Sequence, residues 1–571
     1  MRGAPPARVA PHAKSKRSRE SRHDTIEPLR GAAFAVVLVW AALLVLAPPA
    51  SNYVWAVNGL RSLPQAGVVA LLLAAAGAAA IGRFRVPAAF AWALAGALAL
   101  LVAFPLREAV HFLGDTQFRL RTLVGFAAEL GPVAFGDWVV RLHASPLDVA
   151  VNVLLPIQLH RLGLPIRDVI SLVGALLGFV YFASWWRAVP RLGAPPDTRV
   201  PFALALALTG TLEAFAGYAE SAALVAAAGA WWWSELIGPL ARPRHAVRLC
   251  AAWLVLVLAH RLGIVMALPM IWRALAPPMS GDRPEARRWF WILLAGAMIA
   301  AAGVMFVGGI GDQLVKDAAE LLRTARRSGL RTVPLSDVAN TLLLVAPLAI
   351  LAPWLAGRRA LAAFVRHPVA LLVTLAAVPL LLGLVWLFLV GDSNLGAHRD
   401  WDINILLGLA LTLAAGQVLA LAPPERVRGR LIWILPLLVI GAGGWVAVNA
   451  HSERAMERAI ALATDPPKLP GPQQSHAHLF IGQRAMDLGE FDAAGVAYEH
   501  AFALNPNPRR ALLAAEAWLV AGDVAAARRS LARARALELS PTLTESARVL
   551  DEAITRLEAQ AAGDTATVAT P

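Results

Sequence analysis

The chain is poor in cysteine and in charge. Its 571 residues include one cysteine, Cys250, and only 16% Asp, Glu, Lys and Arg. A single thiol excludes an intramolecular disulfide and any metal site built from several cysteines. The first thirty residues lack apolar periodicity, so they offer nothing that would fold as an amphipathic helix; Arg2, Arg8, Lys14, Lys16, Arg17, Arg19, Arg22 and Arg30 outweigh Glu20, Asp24 and Glu27 there. Residues 1–30 therefore read as a disordered, basic cytoplasmic tail. Acidic residues are also scarce, 38 against 52 basic ones, which leaves a net charge of +14. That excess sits in short patches between apolar runs and not on one soluble face, so no nucleic-acid partner is expected.

What is abundant is hydrocarbon. Hydrophobic residues make up 58% of the chain and the mean hydropathy is +0.59. Apolar runs of about 18 residues or more recur from Gly31 to Val448, each long enough to cross roughly 30 Å of lipid. The fold class expected is all-α: a polytopic bundle of about 11–13 transmembrane helices over residues 31–449. The run from Gly31 to Ala47, ahead of Pro48-Pro49-Ala50-Ser51, has the length of a signal peptide. Its basic leader is unusually long for one, so an uncleaved first helix is expected.

Placing the N-terminal tail in the cytoplasm puts the basic turns at Arg83/Arg85, Arg187/Arg191/Arg199, Arg242/Arg244/Arg248, Arg358/Arg359/Arg366 and Arg426/Arg428/Arg430 inside, as the positive-inside rule requires. Spans are expected at 31–49, 66–82, 86–104, 168–186, 200–216, 218–237, 289–309, 338–355, 368–390, 403–421 and 431–448. The run Leu249 to Trp272 is interrupted at His260-Arg261-Leu262-Gly263 and reads as two half-helices, with His260 near the outer side. Residues 105–167, 311–337 and 391–402 become external loops. Val149 to Leu162, with Asn152, Pro156, Gln158 and His160, reads as an in-plane or re-entrant helix. Asp312 to Arg327 reads as an interfacial helix, and Trp231-Trp232-Trp233 as an aromatic belt near the inner interface. The expected location is the plasma (inner) membrane, with the C-terminus outside.

From about Gln474 the pattern changes to short helices with small residues at fixed offsets. Gly482, Gly489, Phe491, Ala494, Tyr498, Ala501, Leu504 and Pro506 fit tetratricopeptide-repeat spacing, and Gly522 repeats Gly489 at 33 positions. After a linker at 450–473, residues 474–560 are expected to form a small repeat solenoid that binds or positions peptides, with 561–571 disordered. A generic alanine-rich helical hairpin fits the same residues. A solenoid this short leans on the membrane unit or on a partner, yet its task is expected to be separable from the chemistry.

The polar residues that remain all fall on the external side. Gly114-Asp115 follows the third span, and a carboxylate beside a glycine is suited to accept a proton from an acceptor group. Arg119 and Arg121 can hold phosphate oxygens, or snorkel to headgroups. Asp137 is a further loop carboxylate, more simply read as a cap or turn residue. Glu220 stands at the outer end of its span, where an acid is either functional or facing water. His260 with Arg261 breaks an apolar run, as a site residue or as a satisfied helix break. In the loop 391–402, His398 and Arg399 can neutralise a phosphate, while Asp400 and Asp402 can bind sugar hydroxyls or a divalent cation. Asp402 also suits the cap of the next helix.

Gly114-Asp115 after an early span, Gly217-Tyr218-Ala219-Glu220 before a later one, the half-helix at His260 and Asp400-Trp401-Asp402 before a late span together resemble the GT-C glycosyltransferases. With the repeat tail, the architecture is similar to transmembrane-and-tetratricopeptide O-mannosyltransferases. The resemblance covers residues 31–449 and implies a polyprenyl-phosphate sugar as donor, a protein or glycan as acceptor, and a general base in the first external loop. Asp115 is the position that matches that base. Family members often carry this loop after the first span, whereas here it follows the third. A lipid-linked polysaccharide ligase or polymerase, or a non-enzymatic assembly or transport protein, fits the same arrangement.

Overall fold

The computed structural model describes residues 54–83, 87–113, 116–117, 119–121, 123, 145–307, 316, 319, 323, 335–390, 398–466 and 468–568. Asp115, Asp137, the tail 1–30, the span at 31–49 and all but three positions of the expected interfacial helix lie outside the described residues. Among the described residues, every regular element is a helix.

The first two long helices are α1 (Gln65–Arg83) and α2 (Ala88–Ala103). A shorter helix follows in three continuous pieces: α3 (Pro146–Val149), a π turn (Ala150–Leu154) and α4 (Leu155–Arg161). Next come α5 (Ile166–Arg191), α6 (Arg199–Ala207), a 3-10 turn (Gly210–Phe215), α7 (Ala222–Leu236) and α8 (Pro243–Ala259). After a 3-10 turn (Arg261–Met266) follow α9 (Ala267–Leu275), α10 (Pro284–Val307), α11 (Leu335–Val345), α12 (Pro347–Ala356), α13 (Arg358–Val365) and α14 (Pro368–Val390). The bundle closes with α15 (Ile405–Ala420) and α16 (Pro424–Asn449). The remaining helices are α17 (Ser452–Thr464), α18 (Gly471–Leu488), α19 (Phe491–Leu504), α20 (Pro508–Ala521), α21 (Val524–Arg535) and α22 (Pro541–Val568). Proline opens α8, α12, α16 and α20, where its missing N–H takes nothing from the helix.

Among the described residues, six helices are long and apolar enough to cross a membrane, seven if a bent pair counts as one span. Length and composition thus mark an integral membrane protein. The span containing α15 is 78% buried and those of α1 and α10 only 22%, so α15 runs through the interior of the bundle and the other two lie at its periphery. Other expected spans depart from single helices. The span expected at 338–355 is α11 and α12, bent by 80° where Pro347 cannot continue the ladder. The span expected at 200–216 is α6 plus the 3-10 turn, broken at Leu208.

The run Leu249–Trp272 does fold as two halves. His260 leaves the helix, and its Nδ1 accepts the Leu262 N–H at 3.1 Å. The return through α9 brings Arg273 to Asp282, whose carboxylate also accepts the Leu240 N–H at 2.8 Å. The chain therefore comes back to the end from which α8 departs. The Trp231-Trp232-Trp233 triplet differs from a belt. Three consecutive helical positions point about 100° apart, and Trp232 and Trp233 are fully buried in the core.

The expected linker at 450–473 holds α17, whose Ala455, Met456, Ala459, Leu462 and Ala463 recur at helical spacing and are buried. In the tail, consecutive helices pack side by side, α18 on α19, α19 on α20 and α20 on α21. Gly489 at φ 81° and Gly522 at φ 87° end α18 and α20 in the left-handed conformation that a side chain resists. The last helix continues to Val568, past the expected end of the solenoid at residue 560 and into the stretch expected to be disordered.

The topology carries a labelling test. Ala362, on α13 beside a basic turn, and Ala536, just after α21, are both exposed, whereas Cys250 is buried. In intact cells a membrane-impermeant thiol reagent is expected to label Ala536→Cys and not Ala362→Cys. Labelling of position 362 alone reverses the orientation.

Candidate functional site

The loop that leaves α2 at Ala103 folds back over the bundle end. Its Glu108 N–H donates to Ala216 O at 2.8 Å, and its Ala109 N–H donates to Asn449 O at 2.8 Å. That end also receives the starts of α5, α7 and α15 and the break at His260. The basic turns lie at the other end.

One polar group forms around Glu220, just ahead of α7. Thr116 Oγ1 lies 3.4 Å from Glu220 Oε1, and the Glu220 carbonyl accepts from Asn152 Nδ2 at 2.9 Å. Asn152 also donates to Asp148 Oδ1 at 2.7 Å, and Arg119 Nη1 donates to Asp148 Oδ2 at 2.6 Å. Asp148 is 1% exposed and Asn152 2%, so this carboxylate is held by a guanidinium and an amide away from solvent. The π turn at Ala150–Leu154 contains Asn152, and such bulges concentrate at functional positions. The Arg119 charge also reaches the His260 imidazole. Asp115 lies outside the described residues, while its neighbour Thr116 points into this group.

A second group joins the loops to the tail. The Arg399 guanidinium is fully buried, 4.9 Å from the Phe112 ring centroid and 3.9 Å from that of Phe480 on α18, and its Nε donates to Phe112 O at 2.8 Å. His398 stacks on Phe112 with centroids 5.9 Å apart. Gln117 Nε2 and Arg121 Nη2 both reach Asp487 of α18, at 3.3 and 2.8 Å. Arg484 donates to Ala109 O. The tail is thus seated on the loop that follows α2 by cation–π, charged and backbone contacts. Arg399 serves as the strut between them. Arg121 is 42% exposed and stays open to solvent.

Burial pushes the His398 imidazole down to about 3, with the Arg399 and Arg458 charges acting in the same sense. Burial also lowers His111, against the pull of Glu108. A neutral His398 brings no charge to a phosphate at neutral pH. The linkage follows from the sign of the shift: below about 6.5 the unfolded chain takes up a proton that the folded chain refuses until about 3. Stability is therefore expected to fall with pH, by about 2 kcal/mol at pH 5 from His398 alone. The melting temperature of the detergent-solubilised chain between pH 7 and 5 checks this. His398→Phe keeps the ring and should flatten the dependence; an unchanged slope would remove His398 as its source.

Sequence reasoning missed a third group. Glu213 is fully enclosed and, among the described residues, neither of its carboxylate oxygens has a hydrogen-bond partner. Glu108, Arg458 and Asn449 are its polar neighbours. Arg458, from the stretch expected as a linker, donates to Trp55 O at 2.9 Å and lies 4.3 Å over the Trp445 ring. His111, whose Nδ1 is 3.7 Å from Glu108, is the one non-glycine with positive φ among the described residues, at 57°. The available signal was Glu213 itself, an acid in an otherwise apolar run.

Asp400 and Asp402 flank the buried Trp401 at the mouth of α15. The residue before α15 is Asn404, so Asp402 does not occupy the capping position. Among the described residues, no group of three or more His, Cys, Asp or Glu is arranged to hold a metal ion. No protein-family model matches the chain, and the comparison with curated proteins gives no match either.

Proposed function

We propose that the chain is a membrane glycosyltransferase, similar to the GT-C enzymes, that moves a sugar from a polyprenyl-phosphate donor to an acceptor on the extracytoplasmic side. The observation that carries this reading is the gathering of Thr116, Arg119, Asp148, Asn152 and Glu220 at the loop end of the bundle, directly beside position 115. Asp115 takes the proton from the acceptor hydroxyl. The oxygen then attacks the anomeric carbon, the bond from that carbon to the phosphate oxygen breaks, and polyprenyl phosphate leaves with inversion. Arg399 is enclosed, so the phosphate is met by the exposed Arg121 in its place. The tail, read as a tetratricopeptide module, presents the acceptor over this surface.

A non-enzymatic assembly role draws on one observation: Arg119 and Arg121 are already paired with Asp148 and Asp487. The deciding experiment incubates purified full-length protein with a panel of polyprenyl-phosphate sugars and follows polyprenyl-phosphate release and acceptor mass. Transfer from one donor is the expected result. Absence of turnover with every donor, from a protein that melts cooperatively, would leave the assembly reading in place.

A further inference from the structure

The end of the bundle opposite the loop site carries a groove between α2, α5, α7 and α8. A cavity of about 450 Å³ there is walled by Trp92, Phe179, Val180 and Trp231, with Arg187 and Arg248 at its polar side. A second cavity of about 220 Å³ shares Trp92 and Arg187 with the first and adds Trp186, Arg191 and Arg199. The apolar wall faces outward, Trp92 being 41%, Phe179 38% and Val180 39% exposed, and the Trp92 and Phe179 rings lie 6.0 Å apart.

The charge at this groove is of one sign. Four guanidiniums line the two cavities, and no acid lines either; Asp197, on the turn before α6, is not among the lining residues. Glu235 stands behind them, 2% exposed, and its two carboxylate oxygens hold Arg187 and Arg191 in place. One carboxylate fixes two of four cations and leaves the groove strongly positive. Arg199 Nε is buried without an acceptor among the described residues, and Arg248 is exposed. A donor without an acceptor, beside several fixed guanidiniums, calls for an anion.

Basic residues at a membrane boundary ordinarily snorkel to whatever headgroups pass. This groove differs in having walls: tryptophan and phenylalanine rings continue from the guanidiniums toward the hydrocarbon, which suits one acyl chain below a headgroup. We propose that the groove seats an anionic phospholipid, its phosphate on Arg187, Arg199 and Arg248 and a chain along Trp92, Phe179 and Trp231. By the positive-inside rule the lipid belongs to the cytoplasmic leaflet, opposite the proposed transfer site.

The test uses full-length protein, delipidated in neutral detergent and titrated with phosphatidylglycerol or phosphatidylcholine, with native mass spectrometry reading the singly bound fraction. Phosphatidylglycerol is expected to bind at least about fivefold more tightly. Arg248→Gln and Arg199→Gln are each expected to remove about fivefold of that preference, the share of one arginine near an anionic surface. Trp92→Ala should weaken both lipids alike. Arg248 is on the surface, so its variant keeps the wild-type melting temperature and the comparison remains valid. Equal binding of the two lipids by the unaltered protein, or an unchanged preference in both arginine variants, overturns the proposal. Complete displacement of phosphatidylglycerol by inorganic phosphate assigns the groove to a free anion and also overturns it.

Discussion

Replacing Asp115 by Asn is expected to lower sugar transfer by about 100-fold or more while the protein stays folded and still binds donor. The amide keeps the size and the helix-capping ability of the carboxylate. It loses only the capacity to take a proton, so a structural role for Asp115 survives the change and a catalytic one does not. Among the described residues that follow it, Thr116 faces Glu220 and Arg119 is held by Asp148 at 2.6 Å. Turnover with a polyprenyl-phosphate sugar, donor retention and thermal melting are the three measurements. Near-normal turnover passes the base role to Glu220 or Asp400, and Glu220→Gln, which cannot accept a proton, then becomes the variant to measure.

The second large effect is on stability. Arg399→Ala is expected to cost about 3 kcal/mol, because it removes the partner of two aromatic faces and leaves the buried Phe112 carbonyl without its Nε donor. Lysine should not restore it, since an ammonium cannot lie flat between the Phe112 and Phe480 rings. Melting of the full chain, together with proteolysis in the segment between α17 and α18, reads the effect: the variant should melt earlier and be cut faster there. A wild-type profile would mean that the tail is held elsewhere. The same contacts revise the expectation that the tail is separable. Removing residues 450–571 takes away Arg458, a charged neighbour of the enclosed Glu213, and uncovers Arg399, so destabilisation of the bundle is expected along with any change in acceptor choice.

Much of the architecture was legible because it rests on local rules. Hydrocarbon length and basic turns gave the membrane class, and the His260 interruption gave the paired half-helices, since a polar pair in an apolar run must leave the helix or be satisfied. Glu220 falls just ahead of α7, as its position at the end of an apolar run requires. The illegible parts rest on contacts between distant residues. Arg399 and Phe112 are 287 positions apart, and nothing near either one distinguishes a phosphate ligand from a buried strut. Arg458 went unread because a polar, proline-flanked stretch hides a helix whose one buried guanidinium reaches back to Trp55. The spans expected at 338–355 and 200–216 are not single helices, because Pro347 and Leu208 break what hydropathy alone joins.

The strut at Arg399 also sets an order of assembly. Phe112 is made first, Arg399 some three hundred residues later, and Phe480 last of the three. Until α18 arrives, Arg399 has one of its two aromatic covers missing and Asp487 is not there to receive Arg121. A nascent chain therefore carries an open loop until α18 has been made.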